Sequence, residues 1–230
     1  MVKDYQPWND SWKNYIAYVR LSPTEWTPVR QTADFDYPIF AELITSEEWP
    51  RLIDFWRSVV DTMIYILGHD LYHEAQQAYV RWLHAYDRHI PRDLLEKAKK
   101  RLDDRDPVAS IWMLQAAIVL DPDQAEAHYY LGLAYSQYAL DLYNENKQEE
   151  SDLNFYQAIR YLVNVVELDP QSGKAYYGLG FIFRRLGLDE ESRKCLEKYI
   201  ILGLEDGTYE SRGAMPSLPQ GMTPDSTYDG

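Results

Sequence analysis

One cysteine, Cys195, stands in 230 residues. An intramolecular disulfide and a thiolate metal cage are therefore excluded, and a reducing compartment suits the chain. Long apolar runs are missing as well. The greasiest stretch, SVVDTMIYILG, is short and broken by Asp61, against the roughly 18 apolar residues that mark a membrane span. The opening MVKDYQPWNDSWKNY holds no apolar core for a signal peptide. Positive charge is scarce: 23 Lys and Arg face 37 Asp and Glu, a net charge of -14. Such a surface repels nucleic acid and anionic membrane. The acidity reads first as a solvated surface and second as an attraction for a basic partner. The expectation is a soluble, cytoplasmic protein, with neither nucleic acid nor membrane insertion in its work.

Catalytic fingerprints are also missing. There is no G-x-x-x-x-G-K-[ST], no G-x-G-x-x-G after a strand and no G-x-S-x-G. The paired acids Asp103-Asp104 and Glu149-Glu150 sit in polar runs rather than beside apolar residues that would dry a catalytic dyad. The basic KAKKR at 97–101 is followed at once by Asp103, Asp104 and Asp106 and reads as a solvated helix face. Four of the five histidines crowd into GHDLYHEAQQAYVRWLHAYDRH. His69 and His73, four apart with Glu74 adjacent, would share one helix face, a spacing a metal can bridge. The run is not H-E-x-x-H, however, and Gly68 places it at a turn, so surface or capping histidines are the expected reading. Cys195 falls in the helical EESRKCLEKYI and reads as a structural thiol. No metal, no cofactor and no catalytic residue are expected.

What the chain does have is aromatic and helical. Residues 1–45 are rich in Trp, Tyr and Pro, and Pro23, Pro28 and Pro38 break any long helix there. Within this arm SWKNYIAYVRL fits one short helix or a strand. From Ser46 the apolar spacing turns helical: Leu52, Ile53, Phe55, Trp56, Val59, Val60, Met63 and Ile64 form one face, capped near Ser46 and ended by Gly68. LYHEAQQAYVRWLHAYDRH, PRDLLEKAKKRLDDRD and DPVASIWMLQAAIVL read as the next three helices, with Pro91 at a helix start. Two further pairs follow, AEAHYYLGLAYSQYALDLY with DLNFYQAIRYLVNVVEL, then GKAYYGLGFIFRRLG with RKCLEKYIILG. Asp-Pro marks the seams at 121–122 and 169–170. The Gly-, Pro- and Ser-rich residues 204–230 predict an irregular tail.

One pattern is written twice. HYYLGLAY from His128 and YYGLGFIF from Tyr176 both read aromatic, x, x, Leu-Gly, x, x, aromatic. This resembles the tetratricopeptide repeat family, whose unit of about 34 residues is two antiparallel helices with a W-x2-L-G-x2-Y…A-x3-F…P signature. His128, Leu131, Gly132, Tyr135, Ala158, Leu162 and Pro170 stand at its places in residues 125–170. Tyr176, Leu179, Gly180, Phe183, Ser192 and Leu196 do so in 173–203. The signature is partial at 91–122, through Ser110, Leu114, Ala117 and Pro122, and faintest at 53–88, through Gly68, Glu74-Ala75 and Tyr79. The two clear units start 48 residues apart, at 125 and 173. The excess lies between Ser136 and Asp152 and reads as a loop insertion, with longer helices as the alternative.

The resemblance implies an all-α fold over 46–203: a right-handed superhelical stack of helix pairs, with an aromatic arm before it and an irregular tail after it. It also implies a concave face lined by first helices, which places Tyr129, Leu133, Ser136 and Gln137, then Tyr177, Phe181, Arg184 and Arg185, toward a partner. The family's carboxylate clamp needs Lys and Asn at such places; Tyr, Leu and Phe tell against it here. An apolar helix or extended segment of another protein suits the strip better, and self-coverage or a homo-oligomer is the competing use of it. The implied function is a non-catalytic adaptor or assembly factor. The alternatives are a dedicated chaperone for a secreted or assembled protein, and a metal-dependent enzyme with a repeat module.

Overall fold

Helices dominate because the apolar residues recur at three- and four-residue spacing over most of the chain. The computed structural model describes residues 10–19, 36–42 and 52–205. The expected cap at Ser46 and the residues from 206 onward lie outside them. Eight α-helices are described: α1 (Leu52–His69), α2 (Gln76–Tyr86), α3 (Ile90–Asp103), α4 (Pro107–Leu120), α5 (Ala125–Asn144), α6 (Gln148–Leu168), α7 (Gly173–Arg185) and α8 (Asp189–Glu205). The chain divides into two units, Met1–Ala127 and His128–Gly230.

In the first unit the all-α expectation needs one addition. A 3-10 turn, Asp10–Tyr15, leads into strand β1 (Ile16–Val19), which pairs antiparallel with β2 (Tyr37–Phe40). Residues 11–15 of SWKNYIAYVRL are therefore turn and residues 16–19 strand, and its last two residues lie outside the described ones. A two-stranded ribbon is marginal alone, and this one lies on α1. Its Tyr37 and Ile39 are buried with Phe55, Trp56, Val59, Met63, Tyr79 and Trp82 in one core. Trp56 and Trp82 stack at 6.0 Å, and the Tyr37 ring meets Trp56 edge-on at 5.4 Å. Pro38 is tolerated because a two-stranded ribbon has only edge strands.

Two sequence expectations change here. Gly68 does not end α1, which runs on to His69. It is the point where α1 touches α4: a Cβ built there would lie 2.3 Å from the Trp112 carbonyl oxygen. The second helix is shorter than LYHEAQQAYVRWLHAYDRH suggested, because residues 71–75 are turns.

Three successive helix pairs share one turn chemistry. Helices α3 and α4, α5 and α6, and α7 and α8 are each joined through a single residue at positive φ: Arg105 at 59°, Asn146 at 61° and Gly187 at 72°. The N–H after it reaches back five residues, Asp106 to the Arg101 carbonyl at 2.8 Å, Lys147 to Leu142 at 3.0 Å and Leu188 to Phe183 at 2.8 Å. This is the left-handed C-terminal cap that satisfies a helix's last carbonyls. Five residues beyond the positive-φ residue stands a buried serine. Its hydroxyl donates across the pair: Ser110 Oγ to Ala98 O at 3.1 Å, Ser151 to Ala139 at 2.8 Å and Ser192 to Gly180 at 2.8 Å. Small residues at 98, 139 and 180 let the paired helices approach that closely.

In the second unit the expected loop insertion is helix instead. α5 has 20 residues and α6 has 21, against 13 in α7. The close seam begins where Gly132 meets Leu162 and the Ala158 carbonyl, and still holds at Ala139 and Ser151. From 132 to 139 is seven residues, as is 151 to 158. The extra length is thus two turns on each helix, which keeps the same faces together. Seams between pairs fall where Asp-Pro predicted them: α4 ends at Leu120 and α6 at Leu168, and the next helices begin at Ala125 and Gly173.

Candidate functional site

Each predicted partner-facing residue lies on α5 or α7. α7 leans on α6 through Gly178, where a Cβ would stand 3.1 Å from Leu162 Cδ1. Two cation–aromatic contacts link α7 to α5. Lys174 Nζ lies 4.5 Å from the Tyr129 ring centre, and the Arg185 guanidinium lies 4.2 Å from that of Tyr143. The earlier residue of α7 meets the earlier residue of α5, and the later meets the later. The two helices therefore run in the same direction, as first helices of successive pairs do.

On α7 the residues 174, 177, 181 and 184 recur at three- and four-residue spacing and share one face. Lys174 and Arg184 are exposed, as is Arg185 beside them, while Tyr177 and Phe181 between are half-buried. The Tyr177 ring rests 5.0 Å from Tyr199 of α8, which fixes one side of it. On α5, Tyr129 and Gln137 are half-buried. Burial is the main reason the Tyr129 phenol is pushed up to about 12, with Tyr130 adding to it. That phenol stays neutral and acts as a hydrogen-bonding, stacking group.

Leu133 and Ser136 correct the sequence reading. Leu133 is 3% exposed and Ser136 0%. The projection assumed that a hairpin seam ends soon after Gly132. The seam instead runs two turns further, so Ser136 falls between the Gly132 and Ala139 contacts, inside the pair. Opposite it stands buried Asn154; neither Ser136 Oγ nor Asn154 Oδ1 has a hydrogen-bond partner in the structure. Lys174 and Tyr143 were missed. Lys174 was legible, since it precedes Tyr177 by three residues; Tyr143 closes the helical run AEAHYYLGLAYSQYALDLY but stands inside the 136–152 insertion, beyond the signature places used to project the face.

The histidine run holds a different arrangement from a metal site. His69 Nδ1 lies 2.8 Å from the Tyr65 carbonyl, and its ring stacks on Tyr65 at 3.9 Å and tilts toward Trp112 at 5.5 Å. His73 Nδ1 accepts from the Ala75 N–H at 3.2 Å, and its ring stacks on Tyr79. Among the described residues no three of His, Cys, Asp and Glu gather around one point. Burial drives His69 down to about 4, partly offset by its bond to the Tyr65 carbonyl.

That shift carries a sign. In the unfolded chain His69 takes up a proton as pH falls through 6.5, while the folded chain resists until about 4. The stability lost lies in that window, and none is lost above it. At 1.36 kcal/mol per pKa unit, roughly 2 kcal/mol should disappear between pH 7 and pH 4.5. Urea titrations of the protein and of His69→Gln at both pH values check this. The variant should show a smaller acid loss, and an equal loss would place the sensitivity elsewhere.

The Cys195 thiol is half-buried and raised, chiefly by burial and then by Glu191, which leaves it unreactive at neutral pH. No described helix is long and apolar enough to cross a membrane.

Comparison with known proteins adds the following. No curated protein matches the chain. Two solved structures share 18% identity with it. One, titled "Crystal structure of MamA protein", has a TM-score of 0.44 and covers 73% of this chain and 87% of that one. The other, "Crystal structure of MamA", has a TM-score of 0.43 and covers 69% and 90%. A family model described as a TPR repeat matches residues 110–137. That stretch begins at Ser110, the serine of the first hairpin, and ends in α5, crossing the Asp121-Pro122 seam. The chain is a helical protein that is similar to the tetratricopeptide repeat over residues 110–137.

Proposed function

We propose that this protein is a non-catalytic adaptor or assembly factor that holds a segment of another protein against α5 and α7. The observation that carries this reading is the half-open strip of Tyr177 and Phe181 on α7, with exposed cations at both its ends. Aromatic rings that keep part of their surface in water, on a helix fixed at both flanks, supply the apolar area that anchors a partner. The paired helices supply the rigidity: residues on a helix held by its neighbours lose little further freedom on binding. Tyr129 on α5, which Lys174 covers, borders the strip, and Gln137, half-buried on the same helix, is kept in the proposed surface. Leu133 and Ser136 do not contribute, since both are buried.

The test is capture of interacting proteins from the source cell, identified by mass spectrometry and compared across variants. Phe181→Ala and the Tyr177→Ala, Phe181→Ala pair should each reduce capture of the same partner, the pair by at least about tenfold. Tyr177 also touches Tyr199, so circular dichroism and melting must show that each variant keeps its fold. Unchanged capture in a folded double variant would sink this assignment.

A further inference from the structure

The cations of α7 are unusual for this chain. Acids outnumber bases by 14, yet α7, GKAYYGLGFIFRR, carries three bases and no acid. Elsewhere some cations find carboxylates, Lys99 with Glu96 and Glu126, Lys147 with Glu145, and Arg193 and Lys194 with Glu190, and the exposed bases of α3, Arg92, Lys97 and Lys100, share their helix with Asp93, Glu96 and Asp103. Lys174, Arg184 and Arg185 make no ion pair among the described residues. Asp189, Glu190 and Glu191 follow Arg185 closely in sequence, but Glu190 turns to Arg193 and Lys194 within α8.

Two of the three cations are held in place. The tyrosine rings of α5 under Lys174 and Arg185 attract a cation through their negative faces and leave its outer side open to water. Lys174 and Arg185 lie eleven residues apart on α7, roughly 16 Å at 1.5 Å per residue. Tyr177 and Phe181 fill the interval. The face therefore reads cation, aromatic, aromatic, cation pair.

Resting on the reading above, we propose that this face takes an extended peptide segment of a partner protein that carries carboxylates at both ends of a short apolar stretch. At about 3.3 Å per residue, the two cation positions match acids about five residues apart. Charge complementarity selects this occupant: a basic segment meets three cations that make no ion pair among the described residues, and a wholly apolar one leaves their charge uncompensated. The arrangement differs from a clamp on a terminal carboxylate, because the cations bracket an aromatic strip instead of converging on one point. A second copy of this chain is a poorer occupant, since its own net charge of -14 opposes self-association.

The experiment is selection from a random peptide display library on three immobilised forms: the full chain, Arg184→Glu with Arg185→Glu, and Tyr177→Ala with Phe181→Ala. Circular dichroism establishes that all three are folded. The parent should enrich peptides with Asp or Glu flanking apolar residues. A selected acidic peptide, resynthesised, should lose at least about tenfold in affinity on the charge-reversed form and a similar amount when its acids become amides. Selected peptides that need Tyr177 and Phe181 but show no acid preference would overturn this inference and leave the adaptor reading standing. Acidic peptides that bind the charge-reversed form as well as the parent would overturn it too. Failure to enrich any peptide over background would count against both readings.

Discussion

Gly68→Val is expected to lower the stability of the first unit by about 3 kcal/mol or more, in the upper range for overpacking a close helix contact. Gly68 is inside α1 and its φ is ordinary, so backbone freedom is not the reason for glycine there. The reason is distance. A Cβ would come within 2.3 Å of the Trp112 carbonyl oxygen and 3.0 Å of its carbon, both backbone atoms of α4. A side chain can rotate away from such an intrusion, but a helix backbone has to translate. Moving α4 disturbs Ala116, Ala117 and Leu120, which are packed into the same core as α1. Gly180 offers the contrast. Its Cβ would meet Leu196 side-chain atoms at 2.7 Å, which can adjust, so Gly180→Ala should be milder than Gly68→Ala. Gly180→Leu should still cost a few kcal/mol. Urea denaturation of the four variants settles the order. Gly68→Ala within about 0.5 kcal/mol of the parent, the range of ordinary surface changes, would show that α1 and α4 do not meet there.

The second large effect comes from shortening the long hairpin. Removing 133–139 and 151–157 together should leave a folded protein. Gly132 would then stand twelve residues before Ala158, the separation of Ala98 from Ser110 and of Gly180 from Ser192. Leu142 would take the place of Tyr135. α5 would match α7 in length, and the 48-residue interval would fall to 34, the usual length of the repeat. The turn around Asn146 is untouched. Removing 151–157 alone should be far worse, at about 5 kcal/mol or outright failure to fold. Phe155 is lost in both variants, so the one-sided deletion is worse through register: it leaves about two turns at the start of α5 with no α6 against them. It also draws α7 about two turns along α5, so that Lys174 and Arg185 cannot both reach their tyrosines. Circular dichroism and thermal melting of the two variants distinguish the cases. A folded one-sided variant beside an unfolded two-sided one would refute the register.

The contrast shows what could be read ahead of the structure. The repeated Leu-Gly pairs were legible because a small residue at a helix crossing has no substitute, and Asp-Pro was legible because proline cannot continue a helix. The insertion was misread. NENKQEES is polar enough for a loop, but its helix-forming Gln and Glu residues and the seven-residue steps to Gly132 and Ala158 make it two helix ends around a three-residue turn. Arg105 carries no turn signal, and Asn146, a residue tolerated at positive φ, is a weaker one than Gly187. Their equivalence appears only when the serines five residues later are aligned. The β-ribbon was left open because a four-residue strand has too few alternations to tell from one helical turn. At the candidate site, Tyr177, Phe181, Arg184 and Arg185 follow from helical spacing. Ser136 does not, since which side of α5 it faces depends on how far the seam continues.

The serine bonds also bear on how the chain acquires its structure. Each joins residues twelve apart, and each sits beside a turn whose hydrogen bonds span five. Closing so short a loop sacrifices little chain entropy, and contacts of short sequence separation favour rapid folding. Each hairpin can thus begin at its own turn, from the positive-φ residue outward, before the C-terminal end of the chain has been made. The long α5–α6 pair zips two turns further by the same route. In a growing chain it would be complete once Leu168 has cleared the ribosome, ready as a template for α7.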